Sequence, residues 1–224
     1  MTTPARARPA SIRPASARPI RARRTSLLSR CALPLLPVLL LGLSGCVSFG
    51  SKPPKSLLSL SADSKVAAGT TRTAAKGKSI TVSDPETPRT LDTVRIPVQV
   101  TPTSVAYLTG TQWVDTPRHL FRKLLAETIA ASGDMIVLDP GQYSADPGRR
   151  LLGELVDFGV DAGSRTATVT YDATLASPDG SAITRKRFSA SVPVGEVDAA
   201  TVGEPLNRAA NKVAADVAAW VAQN

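Results

Sequence analysis

Residues 166–176 read TATVTYDATLA, so that polar side chains separate the apolar positions Ala167, Val169, Tyr171, Ala173 and Leu175. This strict alternation is the pattern of a β-strand with one buried face. The following Ser177-Pro178-Asp179-Gly180 has the composition of a tight turn, and residues 183–192 are expected to form the partner strand. The sequence therefore predicts that the two segments pair as a hairpin.

Further strands are predicted upstream of this hairpin. Residues 150–161 form the longest of them, and shorter apolar runs lie at 105–108, 112–114 and 135–138. The apolar positions of the long segment are Leu152, Leu155, Phe158 and Val160.

Residues 94–100 also alternate, with apolar side chains at Val94, Ile96, Val98 and Val100. Pro97 interrupts this strand and cannot donate a backbone hydrogen bond. The strand is therefore expected either to lie at a sheet edge or to carry a bulge.

Two helices are predicted. Thr116 followed by Pro117 is a helix start, with the threonine hydroxyl as N-cap and the proline at the first helical position. Ser132-Gly133 ends this helix, whose apolar stripe is Leu120, Phe121, Leu124, Leu125, Thr128 and Ile129. A second helix spans residues 199–222, with the stripe Leu206, Ala209, Ala210, Val213, Val217, Trp220 and Val221.

These elements predict one α+β domain over residues 93–224, a mainly antiparallel sheet with two helices packed on one face. Residues 46–92 are interpreted as a tether and a flexible loop, with a short strand near 57–60. The tether is small, polar and proline-bearing, and residues 61–92 carry few large apolar side chains.

Residues 1–45 have the parts of a secretory signal. Eight arginines and no acidic residue precede an apolar run of about fifteen positions, which is too short to span a bilayer as a helix. The run closes at Leu43-Ser44-Gly45-Cys46, the pattern of a bacterial lipobox in which Cys46 is acylated and becomes the mature N-terminus. The alternative is an ordinary signal peptide followed by a cysteine unrelated to it.

Cleavage before Cys46 changes the charge of the chain. The full sequence has 27 basic and 18 acidic residues, whereas the mature chain has 19 and 18 and a net charge of +1. The basic excess thus belongs to the signal, and a nucleic-acid function loses its support. Cys31 leaves with the signal and Cys46 carries acyl groups, so no thiol remains for a disulfide, a metal or catalysis.

No catalytic pattern is found in the sequence. The single histidine, His119, is expected on the first turn of a helix facing solvent, with no nucleophile in its pattern. No glycine-rich phosphate loop follows a strand. Trp113 and Trp220 are expected in the core rather than in a stacking platform. Arg185-Lys186-Arg187 is interpreted as a solvated strand turn, with a contact to lipid headgroups or a partner as the alternative.

Several segments resemble the ABC-type transport auxiliary lipoproteins, which accompany MCE-domain lipid transporters. Residues 94–100 resemble the first central strand of that family, and the block from Tyr107 to Ile129 is the most specific part of the resemblance. The anchor, the strands of 152–192 and the alanine-rich last helix follow in the family's order. The sequence departs from the family where Leu58-Ser59-Leu60 stands in place of an opening Tyr-x-Leu strand.

The resemblance implies a non-catalytic subunit of a lipid transport system between the inner and outer membranes, without cofactor or metal. It implies an MCE-domain periplasmic subunit as partner and a lipid anchor on the periplasmic face of the outer membrane of a Gram-negative bacterium. The number of copies in the assembly, one or several, stays open. The alternative is a structural or assembly lipoprotein of the outer membrane and cell envelope, and an unrecognised enzyme is the third.

Overall fold

The computed structural model describes residues 56–73, 75, 77–133, 135–139 and 148–224. Its strands are Ser56–Leu58 (β1), Ser79–Val82 (β2), Pro97–Thr101 (β3), Ser104–Tyr107 (β4), Thr111–Trp113 (β5), Ile136–Leu138 (β6), Arg149–Asp161 (β7), Thr166–Ala176 (β8) and Ile183–Pro193 (β9). Its helices are Pro117–Ser132 (α1) and Gly203–Gln223 (α2). The α+β prediction is confirmed, and none of the described helices is long and apolar enough to cross a membrane.

The predicted hairpin is present as β8 and β9. The two strands pair antiparallel over their whole length, from Thr166 opposite Pro193 to Ala176 opposite Ile183. Their connection is fixed by Asp179, whose carboxylate accepts hydrogen bonds from the hydroxyls of Ser177 and Ser181 and from the Ser181 N–H. These hydrogen bonds favour the ionised form and lower the pKa of Asp179 to about 2.

β7 organises the rest of the main sheet. One edge pairs antiparallel with β8, and the other pairs parallel with β2 near Arg149 and with β3 near Val160. β6 extends the sheet beside β2, and β4 extends it beside β3. The sheet is thus mixed, with long antiparallel ladders and short parallel ones, while β1 and β5 form a separate parallel pair.

The strand that contains Pro97 begins at that residue, three residues later than the pattern predicts. The first residue of a strand is a position that proline tolerates, because its missing N–H removes no ladder bond there. A register shift between Gln99 and Thr101 supplies the expected bulge.

The helix α1 begins and ends close to its predicted limits, whereas α2 begins at Gly203, four residues later than predicted. Pro117 is the first residue of α1, and Gly133 ends the helix in the left-handed conformation with a φ of 88°. The predicted hydroxyl cap is wrong, because Thr116 makes no side-chain capping hydrogen bond. The Asp115 carboxylate accepts the Thr116 N–H instead, at 2.7 Å.

Both helices bury their predicted stripes against the sheet and against each other. Phe121 lies between Tyr171 of β8 and Phe158 of β7, with ring centroids 5.3 Å and 6.4 Å away. In the long strand β7, Leu151 is fully buried whereas the predicted Leu152 is exposed. The largest fully buried side chains are Trp113, Tyr171, Phe121, Phe158, Ile80, Ile96, Leu125, Ile129, Leu151, Leu155, Leu206 and Val82.

The prediction of a flexible loop over 61–92 and of a packed domain that begins at residue 93 is wrong. β2 lies inside this range, pairs with both β6 and β7, and buries Ile80 and Val82 completely. The residues before it are held by helix side chains rather than by their own burial. Asn211 of α2 accepts the Asp63 N–H and donates to the Ser61 carbonyl, both at 2.9 Å.

Candidate functional site

The proposed lipidation site, Leu43-Ser44-Gly45-Cys46, lies outside the described residues. The described chain begins at Ser56 in β1, which pairs with β5. Because α1 follows β5 after three residues, the chain enters the domain beside the N-terminal end of α1.

A network of charged side chains lies at that end of α1. His119 places its Nδ1 atom 3.0 Å from a carboxylate oxygen of Asp115, and its Nε2 atom 3.7 Å from Asp84. Asp84 also lies 2.9 Å from Nε of Arg122. The hydrogen bond to His119, followed by that from the Thr116 N–H, lowers the pKa of Asp115.

This network has a structural role for which no signal was found in the sequence. Asp84 follows β2 in the chain, so its contacts with His119 and Arg122 hold the connection between β2 and β3 against α1. Arg118 adds a contact to Asp92 of the same connection, at 3.7 Å. A nucleophilic triad needs a histidine bonded to a hydroxyl or thiol. In the described part of the chain, the side chains bonded to or paired with His119 are carboxylates.

A metal site is also not found in the described part of the chain, where no three histidine, cysteine, aspartate or glutamate side chains cluster. The aromatic residues that could have formed a stacking platform are core residues, as predicted. Trp113 is buried with its ring centroid 5.4 Å from that of Phe158, and Trp220 is buried with its ring centroid 5.6 Å from that of Phe188.

An open groove of about 560 Å³ lies between the segment 59–65 and α1. Leu120 and Leu124 contribute apolar surface to it, and Lys65, Lys123 and Glu127 contribute charged side chains. The groove is thus open to solvent and combines apolar with charged side chains.

The basic run Arg185-Lys186-Arg187 lies along strand β9 and not in a turn, which corrects the first interpretation of it. Arg187 binds the carboxylate of Asp172 through two of its nitrogens, and Arg185 lies 3.0 Å from the same carboxylate. The two guanidiniums remain exposed, whereas the Asp172 side chain is only 8% exposed. The bond from Arg187, then its charge, lowers the pKa of Asp172 against the opposing effect of burial.

The sequence did contain a signal for Asp172. It is the charged residue at a polar position of the alternating segment 166–176, and the register set by the turn places it opposite Arg187. Opposite charges at directly facing positions of two strands stabilise their pairing. The hairpin and its turn therefore contain enough information to predict this ion pair.

The block from Tyr107 to Ile129 is held together by contacts within the domain. The Arg95 guanidinium lies 4.1 Å from the centre of the Tyr107 ring, and the Tyr107 hydroxyl donates to the Thr90 carbonyl. Trp113 and the apolar face of α1 supply core contacts. Among the described residues, this block thus contributes to the hydrophobic core and to the charged network at the start of α1.

Comparison with known structures places the fold among solved bacterial proteins. The crystal structure of protein XCC0632 from Xanthomonas campestris, of family DUF330, is similar with a TM-score of 0.62 and 18% identity, over 75% of this chain and 95% of that one. A second crystal structure, of an uncharacterised protein, has a TM-score of 0.56 and 12% identity, over 76% and 98%. At these identities the similarity establishes the fold alone.

No match was found among curated proteins. Residues 59–218 match the family model described as ABC-type transport auxiliary lipoprotein component. This range begins beside β1 and ends within α2, so it contains the main sheet and most of both helices. The chain therefore belongs to the family of ABC-type transport auxiliary lipoprotein components.

Proposed function

We propose that this protein is a non-catalytic subunit of an ABC-type lipid transport system and that it acts with an MCE-domain periplasmic subunit. The observation that carries the proposal is the extent of the family match, which runs through the folded domain from residue 59 to residue 218. An auxiliary component of the proposed kind does not itself hydrolyse ATP and is not expected to need a phosphate-binding loop. This agrees with a sequence in which no phosphate-binding loop follows a strand.

The chemistry of the described residues favours a role in binding or positioning. Asp115 and Asp84 flank His119, and Arg122 pairs with Asp84. These groups contact one another at the surface of α1. Among the described residues, they do not supply the nucleophile and base that a hydrolytic mechanism requires.

We further propose that the protein is anchored through acylated Cys46 to the periplasmic face of the outer membrane. Membership of a lipoprotein family indicates a location in the cell envelope. Val47 follows Cys46, in place of the aspartate that signals inner-membrane retention in some bacteria.

The decisive experiment is a crosslinking purification from intact cell envelopes. A tagged wild-type protein is expected to recover an MCE-domain subunit, and envelope fractionation is expected to place it in the outer-membrane fraction. Recovery of outer-membrane assembly proteins without any MCE-domain subunit would contradict the proposed partner. Recovery of the protein from the inner-membrane fraction would contradict the proposed location.

A complementation experiment tests whether His119 has a catalytic role. Deletion of the gene is expected to weaken the outer-membrane barrier, and a His119→Ala variant is expected to restore it as well as the wild type does. Phe121→Ala serves as the control for a damaged fold, because Phe121 is fully buried. Loss of function in His119→Ala at wild-type abundance and stability would indicate an enzyme.

A further inference from the structure

Strand β9 has one unpaired edge. It is eleven residues long and pairs with β8 without a register break, and no other described strand pairs with it. An unpaired edge presents a row of free backbone N–H and C=O groups to which another strand can add. α2 contacts one face of β9, whereas strand addition occurs in the plane of the sheet.

Two hydrogen bonds beyond the ends of the hairpin determine which backbone groups of β9 are free. The Val194 N–H donates to the Arg165 carbonyl at 2.8 Å, and the Ser177 N–H donates to the Ala182 carbonyl at 2.9 Å. Both pairs continue the register of β8 and β9, so the even-numbered residues of β9 bond to β8. In an antiparallel ladder the alternate residues then point away from the partner strand. The N–H and C=O groups of Arg185, Arg187, Ser189 and Ser191 therefore face the open edge.

The side chains at this edge are held in place and carry positive charge. The Asp172 carboxylate orients both Arg185 and Arg187, whose side chains remain 62% and 63% exposed. One buried carboxylate thus faces two guanidiniums, and Lys186 adds a third cation on the other face. Glu154 and Asp157 lie near enough to interact with Arg187 and moderate this charge.

Positive charge at this edge selects against some partners and in favour of others. Charged side chains on an edge strand oppose its pairing with a second copy of itself, because like charges are then brought together. The same charges attract a strand that carries carboxylates. On the side of α2, a notch of about 380 Å³ is lined by Lys186, Phe188, Ala219 and Trp220 and also by Asp216, and it can receive an apolar side chain of the added strand.

We propose that β9 binds an extended acidic segment of a partner protein by strand addition. Carboxylates of that segment face Arg185 and Arg187, an apolar side chain enters the notch beside Phe188, and the backbone pairs with the outward N–H and C=O groups of residues 185–191. This inference does not depend on the proposed transport function.

The test uses the mature lipoprotein in detergent micelles and a fluorescent peptide of alternating glutamate and valine, matched to the length of β9. Fluorescence anisotropy is expected to detect binding of this peptide. A peptide that is N-methylated at every second backbone nitrogen is expected to bind at least about tenfold more weakly, because several hydrogen bonds are lost. Replacement of its glutamates by lysine is expected to abolish binding.

Variants of the protein locate the site. Ser189→Pro removes one outward N–H and is expected to weaken binding, whereas Ser189→Ala keeps that N–H and is expected to bind as the wild type does. Both variants lose the hydroxyl contact to Thr170, so the difference reports the backbone alone. If Ser189→Pro does not fold, the comparison of the two peptides on the wild-type protein still decides the proposal.

Three results would overturn it. The first is an absence of binding by the glutamate peptide, and the second is equal binding of the methylated and unmethylated peptides. The third is binding of the protein to vesicles that contain phosphatidylglycerol, when this binding requires Arg185 and Arg187 and the peptides do not bind. The basic edge would then act as a lipid-headgroup contact and not as a site for strand addition.

Discussion

Gly153 is a residue whose lack of a side chain is required by the core. It lies in β7 opposite Ala173, and the ring of the neighbouring Tyr171 passes over it. The Tyr171 hydroxyl donates to the Leu152 carbonyl at 2.9 Å, which fixes the ring in this position. A Cβ atom at residue 153 would lie 2.2 Å from the backbone oxygen of Asp172 and 2.7 Å from two carbons of that ring, closer than these atoms can pack.

We therefore predict that Gly153→Ala lowers the free energy of unfolding by roughly 1–3 kcal/mol, the usual cost of overpacking a core. Urea denaturation measures the change. Gly195→Ala is the matched control, because a Cβ atom there meets no atom within 4 Å. Equal stability of the two variants would contradict this prediction, because it would require both the Asp172 carbonyl and the Tyr171 ring to shift without cost.

Asp172 should give the stability of the protein a dependence on pH. Its two arginine partners lower its pKa in the folded state below the ordinary value of 3.8. The ion pair therefore contributes its full stability above pH 3.8, and the contribution is lost as the pH falls through the lower pKa of the folded state. Asp172→Asn cannot titrate, so this part of the pH dependence is absent in the variant.

We predict that Asp172→Asn is less stable than the wild type at pH 6 and that the difference narrows as the pH falls below 3.8. Urea denaturation at a series of pH values measures this. Asp63→Asn is the control, because its described hydrogen bond uses the backbone N–H and not the carboxylate. A difference between Asp172→Asn and the wild type that is constant with pH would contradict the role assigned to the ion pair.

Among the elements, the sequence was sufficient for those with a long internal period. β8 and α1 begin and end near their predicted limits, because each repeats its apolar spacing several times. β7 and β9 also match their predicted limits, whereas α2 begins four residues later than predicted. β2 has only four residues, too few for a period to be visible. Its burial comes from its neighbours β6 and β7, which are distant in the chain. The local composition of β2 therefore does not indicate that it is buried.

The segment before β2 was missed for a different physical reason. Its backbone is fixed by side chains of other elements, since Asn211 bonds to residues 61 and 63 and Glu127 accepts the Val66 N–H. Such a segment can be ordered without burying apolar side chains of its own. A prediction based on hydrophobic content therefore assigns this segment to a flexible loop.

The position of β2 gives a prediction at the scale of the element. Ile80→Ala is expected to lower the free energy of unfolding by roughly 2–5 kcal/mol, because it removes a fully buried side chain between two strands. Ile183→Ala makes the same chemical change at a side chain that is 69% exposed, and it is expected to stay within about 0.5 kcal/mol of the wild type. Chemical denaturation of both variants checks this, and equal effects would contradict the central placement of β2.

At the scale of the whole molecule, the candidate sites differ in how far they could be predicted. The lipobox is a continuous pattern, so the sequence alone suggests it. The charged network at α1 joins Asp84 to His119 and Arg122, and only the completed fold brings that connection against the helix. The charged network is therefore a product of the topology, whereas the proposed attachment to the membrane is local in sequence.

That attachment leads to the prediction that concerns the whole molecule. The mature chain has a net charge of only +1, so general electrostatic attraction to an anionic membrane should be weak. One acyl chain gives only marginal binding, and stable anchoring requires several, as mature lipoproteins carry.

We predict that Cys46→Ala releases the protein into the soluble periplasm or leaves it as an uncleaved precursor, which membrane fractionation and intact mass can distinguish. Cys31→Ala is the matched control and should behave as the wild type, because the proposed cleavage before Cys46 removes residue 31. A Cys46→Ala protein that is cleaved and still sediments with the membrane would show that the folded domain, and not an acyl anchor, holds the protein there.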